Sequence, residues 1–97
     1  DDMINAVICA QTVAENIRSE GSEYDEEGIY IKYLDRDMNY VDEEAYYEEK
    51  VMVSIDKEAS SELGQLYNYK IIIMDSNKNK EIYSLNLSKY VAKEVQR

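Results

Sequence analysis

DMINAVICAQTVAENIRS, residues 2–19, is the stretch from which the fold is read. Met3, Ala6, Val7, Ala10, Val13, Ala14 and Ile17 recur at the i, i+3, i+4, i+7 spacing that lines one face of an α-helix. Asp2, Asn5, Thr12, Glu15, Asn16 and Ser19 fall on the other face. Asp1 and Asp2 at the start and Arg18 near the end complement the helix dipole, and Gly21 follows as a stop signal. The stretch predicts one amphipathic helix of about five turns. Its halves differ, because Ile4 and Ile8 add apolar surface on a second flank and Cys9 on a third, whereas residues 11–19 keep only Val13, Ala14 and Ile17. A helix lying on its own sheet needs one apolar stripe; one that is apolar on several sides toward its beginning calls for more protein around it, or for a continuation upstream. Ile4 and Ile8 are therefore the candidate interaction residues, expected to lie outside the domain's own core.

Beyond the helix the period changes. Residues 20–28, EGSEYDEEG, are acidic and aperiodic and read as a solvated connector. Residues 28–35 alternate Ile29, Ile31 and Tyr33 against Tyr30, Lys32 and Leu34, as a half-buried strand does. Residues 36–45 read as a loop, and residues 46–55 regain alternation through Val51, Val53 and Ile55. DKEASSELGQ, residues 56–65, suits a turn or a single helical turn. Residues 66–74 form the strongest strand, its Ile71, Ile72 and Ile73 implying a central position covered on both faces. Residues 75–80, DSNKNK, read as a hairpin turn, and residues 81–87 close the set with Tyr83, Leu85 and Leu87 alternating against Ser84 and Asn86. For residues 88–97, Tyr90, Val91 and Val95 fit a short terminal helix slightly better than a strand extension. Short polar connections without crossover helices imply antiparallel pairing. The expected fold is α+β: a single domain over residues 1–97, with the helix of residues 1–19 and the acidic connector of residues 20–28 preceding a four-stranded antiparallel meander and C-terminal tail in residues 28–97. The core is expected to join Ile71, Ile73, Leu85, Val53 and Ile31 to Val7, Ala10, Val13, Ala14 and Ile17.

Charge narrows the partners. Eleven basic and 21 acidic residues leave a net charge of -10, which argues against a nucleic-acid backbone or an anionic membrane surface as a direct ligand. The charge is unevenly spread: residues 20–50 hold twelve acids and three bases, a net of -9, whereas residues 66–97 hold three acids and six bases, a net of +3. Such asymmetry serves complementarity between neighbouring strands, or a chain that stacks head to tail. Cys9 is the sole cysteine, so no intramolecular disulfide forms, and the sequence has no histidine, the commonest general base and metal ligand.

Few residues suggest chemistry. Asp75, Asn77 and Asn79 copy the opening of a calcium loop, but Lys80 stands where the bend needs glycine and Asn86 where a bidentate glutamate is needed. Asp35, Asp37 and Asn39 repeat the pattern with Tyr40 and Tyr46 at those positions, and remain weak metal candidates with Asp42, Glu43 and Glu44 nearby. Runs such as residues 25–27 and 42–44 read as solvated faces rather than acid–base pairs, and neither a glycine-rich phosphate loop nor a nucleophile elbow is present. No enzyme activity and no cofactor are expected. Ten tyrosines with no Phe or Trp supply sheet packing with hydroxyls reaching the surface, or a tyrosine-rich contact surface.

A helix most apolar at its start, an acidic connector and a sheet ending in YKIIIMDSNKNKEIYSL resemble the soluble half of a type IV pilin or a type II secretion pseudopilin. MINAVICAQTVAENIRS is similar to the stretch just after the membrane-embedded part of the pilin helix. The resemblance implies a structural subunit at the cell envelope or outside it, bacterial and membrane-anchored only through a helix upstream of this chain, with protein partners that include other copies or pilin-like subunits. The family's prepilin cleavage glycine, the glutamate after it, its long apolar helix and its C-terminal cysteine pair do not occur in these 97 residues. The alternative is a small secreted or periplasmic binding module with a cystatin-like helix on a sheet, although the glutamine-valine-glycine inhibitor loop of cystatins is not visible.

Overall fold

The computed structural model of the chain describes residues 2–19, 24, 26–35, 39–41, 49–75 and 80–92. Helix α1 (Asp2–Arg18) is followed by strands β1 (Gly28–Leu34), β2 (Tyr40–Val41), β3 (Glu49–Ser60), β4 (Gly64–Asp75) and β5 (Lys80–Ala92). They form one antiparallel sheet in the order β2-β1-β3-β4-β5, so the fold is α+β with five strands rather than four. The additional strand is β2, two residues inside the expected loop of residues 36–45. It turns back on Tyr33 and Leu34, and β3 then pairs with the other side of β1, which breaks the simple meander.

Period-2 alternation sets the inner face. Val51, Val53 and Ile55 of β3 and Tyr69, Ile71 and Ile73 of β4 are buried, with Tyr83, Leu85 and Leu87 of β5 packed partly against them. Ala6, Cys9, Ala10, Val13, Ala14 and Ile17 of α1 close over this face, the helix lying chiefly on β5 and β4. The buried stripe is rotated from the expected one toward Cys9: Met3 is exposed and Val7 half-buried. Small residues at positions 6, 9, 10 and 14 let the helix sit close to the isoleucines beneath it.

Pairing overturns the expected face of β1. Tyr30 opposes Val53, Lys32 opposes Val51 and Leu34 opposes Glu49, so these three face the core side, and Ile31, expected inside, is 46% exposed beside Met52. The β4 run is likewise covered on one face only among the described residues: Ile71 and Ile73 point inward, while Ile72 lies between Met52 and Ser84 on the side away from the helix.

The connector is not wholly solvated either. Tyr24 is 2% exposed and covers the part of the inner face that α1 leaves open. Its ring meets Tyr30 edge-on at 5.3 Å and 82°, Lys32 Nζ lies 5.6 Å from its centroid, and Tyr69 Oη donates to its carbonyl at 3.4 Å. Gly28 starts β1 with φ +144°, backbone geometry that a side chain would strain.

Residues 56–65, expected to turn, instead extend β3 to Ser60 and open β4 at Gly64, with Ser61 Oγ accepting the Leu63 and Gly64 amides between them. Residues 88–92, expected to lean helical, continue β5. Residues 76–79 of the expected hairpin turn and residues 93–97 lie outside the described residues. A 17-residue helix spans about 25 Å and a strand of 12 or 13 residues about 40 Å, so the strands outrun their cover. The helix ends where Lys89 Nζ donates to the carbonyls of Ile17 (2.7 Å) and Ser19 (3.2 Å), a cation at the negative end of the dipole.

Candidate functional site

The apolar stripe of α1 turns its back on a second apolar flank. Met3, Ile4 and Ile8 are 48%, 58% and 55% exposed, and the two isoleucines stand one turn apart. Beside Ile8 a cleft of about 200 Å³ runs between the helix and the end of the sheet, lined by Asn5, Ile8, Cys9, Thr12, Leu34 and Tyr40. Thr12 Oγ1 donates to the Ile8 carbonyl at 2.9 Å, which ties that hydroxyl to its own helix. Tyr40, 56% exposed, forms the far wall, with Lys32 Nζ 4.9 Å from its ring centroid.

Cys9 lines this cleft and is itself buried. Burial, and secondarily the charge of Glu49, push the Cys9 thiol up to about 11. At pH 7 that leaves roughly one thiolate in ten thousand, so Cys9 packs rather than attacks.

Comparison with family models, known proteins and solved structures finds no significant match. The reading of the site therefore rests on its own residues. Asp35 and Asn39 close the β1–β2 turn: Asp35 Oδ1 accepts the Asn39 amide at 3.0 Å, and the Asp35 amide donates to the Asn39 carbonyl at 2.9 Å. Asp37, and the Asn77 and Asn79 of the other calcium-like pattern, lie outside the described residues. Among the described residues no group of three or more Asp, Glu, Cys or His side chains is gathered to hold a metal ion.

Sequence reasoning singled out Ile4 and Ile8 but missed Tyr40 and Leu34, which line the cleft beside Ile8. The available signal was Asp35 and Asn39 spaced to close a turn, followed by the β-prone pair Tyr40-Val41. On the opposite face of the sheet a shallow depression is lined by Ser54, Asp56, Asn68, Lys70, Asn86 and Ser88. There Ser88 Oγ donates to Asn68 Oδ1 at 2.6 Å and Asn68 Nδ2 donates to Glu58 Oε2 at 2.8 Å, the cross-strand ties of a solvated sheet face.

Proposed function

We propose that the chain is a non-catalytic structural or assembly subunit at the cell envelope, resembling the globular head of a pilin or pseudopilin, which engages protein neighbours through the outward flank of α1. The observation that carries this reading is one helix with two apolar flanks of which its own domain buries only one: Ala6, Ala10, Val13 and Ile17 are covered, Ile4 and Ile8 are not. Neighbours of this kind are other copies or related subunits, and attachment to a membrane belongs to a helix upstream of residue 1. Among the described residues no helix is long and apolar enough to cross a membrane.

The test is the double substitution Ile4→Gln and Ile8→Gln, followed by urea unfolding and sedimentation velocity. Exposed positions move stability by less than about 0.5 kcal/mol, so the unfolding free energy should stay in place while flank-to-flank dimerisation disappears. A loss of several kcal/mol, the scale of emptied core positions, would place both isoleucines in a self-sufficient core and refute the reading.

A further inference from the structure

Strand β5 ends the sheet on the side opposite β2, and among the described residues β4 is its one partner strand. Its side chains show how open that side is. Ile71 and Ile73 of β4 lie under α1 with a strand on either side and are 0% exposed. Leu85 and Tyr83, directly opposite them on the same inner face, and Leu87 next to these are only half-buried. What they lack is cover from the outer side of β5. An edge strand turns the N–H and C=O of every second residue outward, and folded proteins guard such edges with charge, proline or bulges. This chain has no proline, residues 82–88 (IYSLNLS) hold no charge, and Lys89 is drawn inward to the Ile17 and Ser19 carbonyls. The register shift at Ile73 and Met74 touches only the start of the strand.

A bare strand edge recognises another strand, and β5 is complementary to itself when two copies run antiparallel about a two-fold axis. Centred on Asn86, the middle residue of β5, the pairing overlaps all 13 residues. Leu85 then opposes Leu87 of the second copy on the helix side, Ser84 opposes Ser88 on the outer side, and Tyr83 opposes Lys89. The two Lys89 residues stay about 20 Å apart along the seam. The whole chain carries -10, so copies repel over most of their surface, and the uncharged stretch of β5 is where they approach at least cost.

The seam is large enough for a dimer. Strand β5 is about 40 Å long and the molecule is 21 and 19 Å across its short axes, so the wall along β5 offers up to about 800 Å² on each copy, the size of a standard interface. The helix contributes to that wall. Because α1 lies chiefly on β5 and β4, and strands are about 4.8 Å apart, the two helices come about 10 Å apart across the axis, the spacing of packed helices. The flank of α1 turned away from the Cys9 and Leu34 cleft carries Met3, Val7 and Gln11, one turn apart, with Met3 48% exposed and Val7 half-buried. These side chains stand where the second helix arrives.

We propose that two copies of this chain join edge to edge, β5 against β5 in an antiparallel register centred on Asn86, doubling the sheet and setting both helices on one face of it. The inference goes beyond the assembly reading and uses a different surface from the Ile4 and Ile8 flank.

Disulfide trapping reads the register. Asn86 is exposed and faces its own copy across the axis, so Asn86→Cys should cross-link to a dimer under mild oxidation, with Cys9 buried and out of reach. Ser84→Cys alone should stay uncross-linked, its two copies lying about 13 Å apart, while an equal mixture of Ser84→Cys and Ser88→Cys chains should cross-link. In sedimentation velocity, Asn86→Lys sets two ammonium groups opposite each other and should weaken edge dimerisation about tenfold or more, whereas the Ile4→Gln, Ile8→Gln form should still dimerise. Amide exchange in the native chain should slow with concentration in β5, which reads the edge without any substitution. An Ile4→Gln, Ile8→Gln form that stays monomeric at about 1 mM would overturn the inference and leave the flank reading standing. Asn86→Cys chains that cross-link no faster than Lys70→Cys, an exposed control on the outer face, or exchange in β5 that ignores concentration, would overturn it as well. An Asn86→Lys form that is wholly monomeric would refute the flank reading alone.

Discussion

Replacing Tyr24 with alanine probes whether a residue in the acidic connector holds the sheet together. The side chain is 2% exposed, its ring packs edge-on against Tyr30 at 5.3 Å, and Lys32 Nζ lies 5.6 Å from its centre. Emptying a buried aromatic site costs about 3–5 kcal/mol. At the lower end of that range the expected loss is about 3 kcal/mol. Within it the aromatic pair accounts for about 0.5–1.5 kcal/mol and the cation over the ring for about 0.5–1. A domain of this size is stable by about 5–15 kcal/mol, so the variant remains folded but surrenders a large fraction of its margin. With an m-value of about 1–3 kcal/mol/M, the urea midpoint should fall by about 1–3 M at unchanged slope. Tyr24→Leu, which retains apolar volume, should lose roughly half as much. A loss below about 0.5 kcal/mol for the alanine variant would refute the argument, since the inner face of β1 would then not depend on the connector for cover.

Lys89→Met should cost about 1–2 kcal/mol by thermal or urea unfolding, because it removes the cation from the Ile17 and Ser19 carbonyls while keeping the apolar stem. At Gly64 a Cβ would lie 2.5 Å from Tyr90 Cζ and 2.6 Å from the Val91 carbonyl. Gly64→Ala should therefore destabilise by about 1–3 kcal/mol, and adding Tyr90→Ala should restore only part of it, since the backbone oxygen cannot move aside. Cys9, held up to about 11, should react with iodoacetamide at pH 8 about a hundredfold more slowly in the native chain than in urea, where the thiol returns toward 9.0. A native rate that levels off near pH 9 would contradict the burial of the thiol.

What the sequence discloses depends on how sharply one face differs from the other. Val51, Val53 and Ile55 alternate with Met52, Ser54 and Asp56, and Leu85 and Leu87 with Ser84 and Asn86, so their inward faces are legible. In β1 both faces are apolar, and the greasier set, Ile29 and Ile31, turned outward because register with β3 fixes which side Leu34 and Tyr30 must take. The paired ends of β3, β4 and β5 beyond the helix have no core to impose alternation, so Asp56 to Ser60 and Ser88 to Ala92 look like loop or helix while backbone pairing keeps them extended. Tyr24 was hidden by its acidic surroundings. Of the candidate site, the helix flank of Ile4 and Ile8 was legible from helical spacing, whereas Tyr40 reaches the cleft beside Ile8 from a two-residue strand too short to leave a period.

The tie from Lys89 to Ile17 joins residues 72 positions apart. Helix α1 lies on β5 and β4, the last strands of the described chain, rather than on β1 that follows it. On a ribosome α1 emerges before every strand of this sheet and is thus the last of them to find its place, and Ala10, Val13 and Ile17 lack the strand they chiefly rest on until residues near 89 have left the exit tunnel. A fold so dominated by distant pairings gathers itself slowly, on the order of milliseconds to seconds. The interval in which the helix is made but unhoused is when a chaperone, or the helix of another nascent chain, would compete for the same stripe.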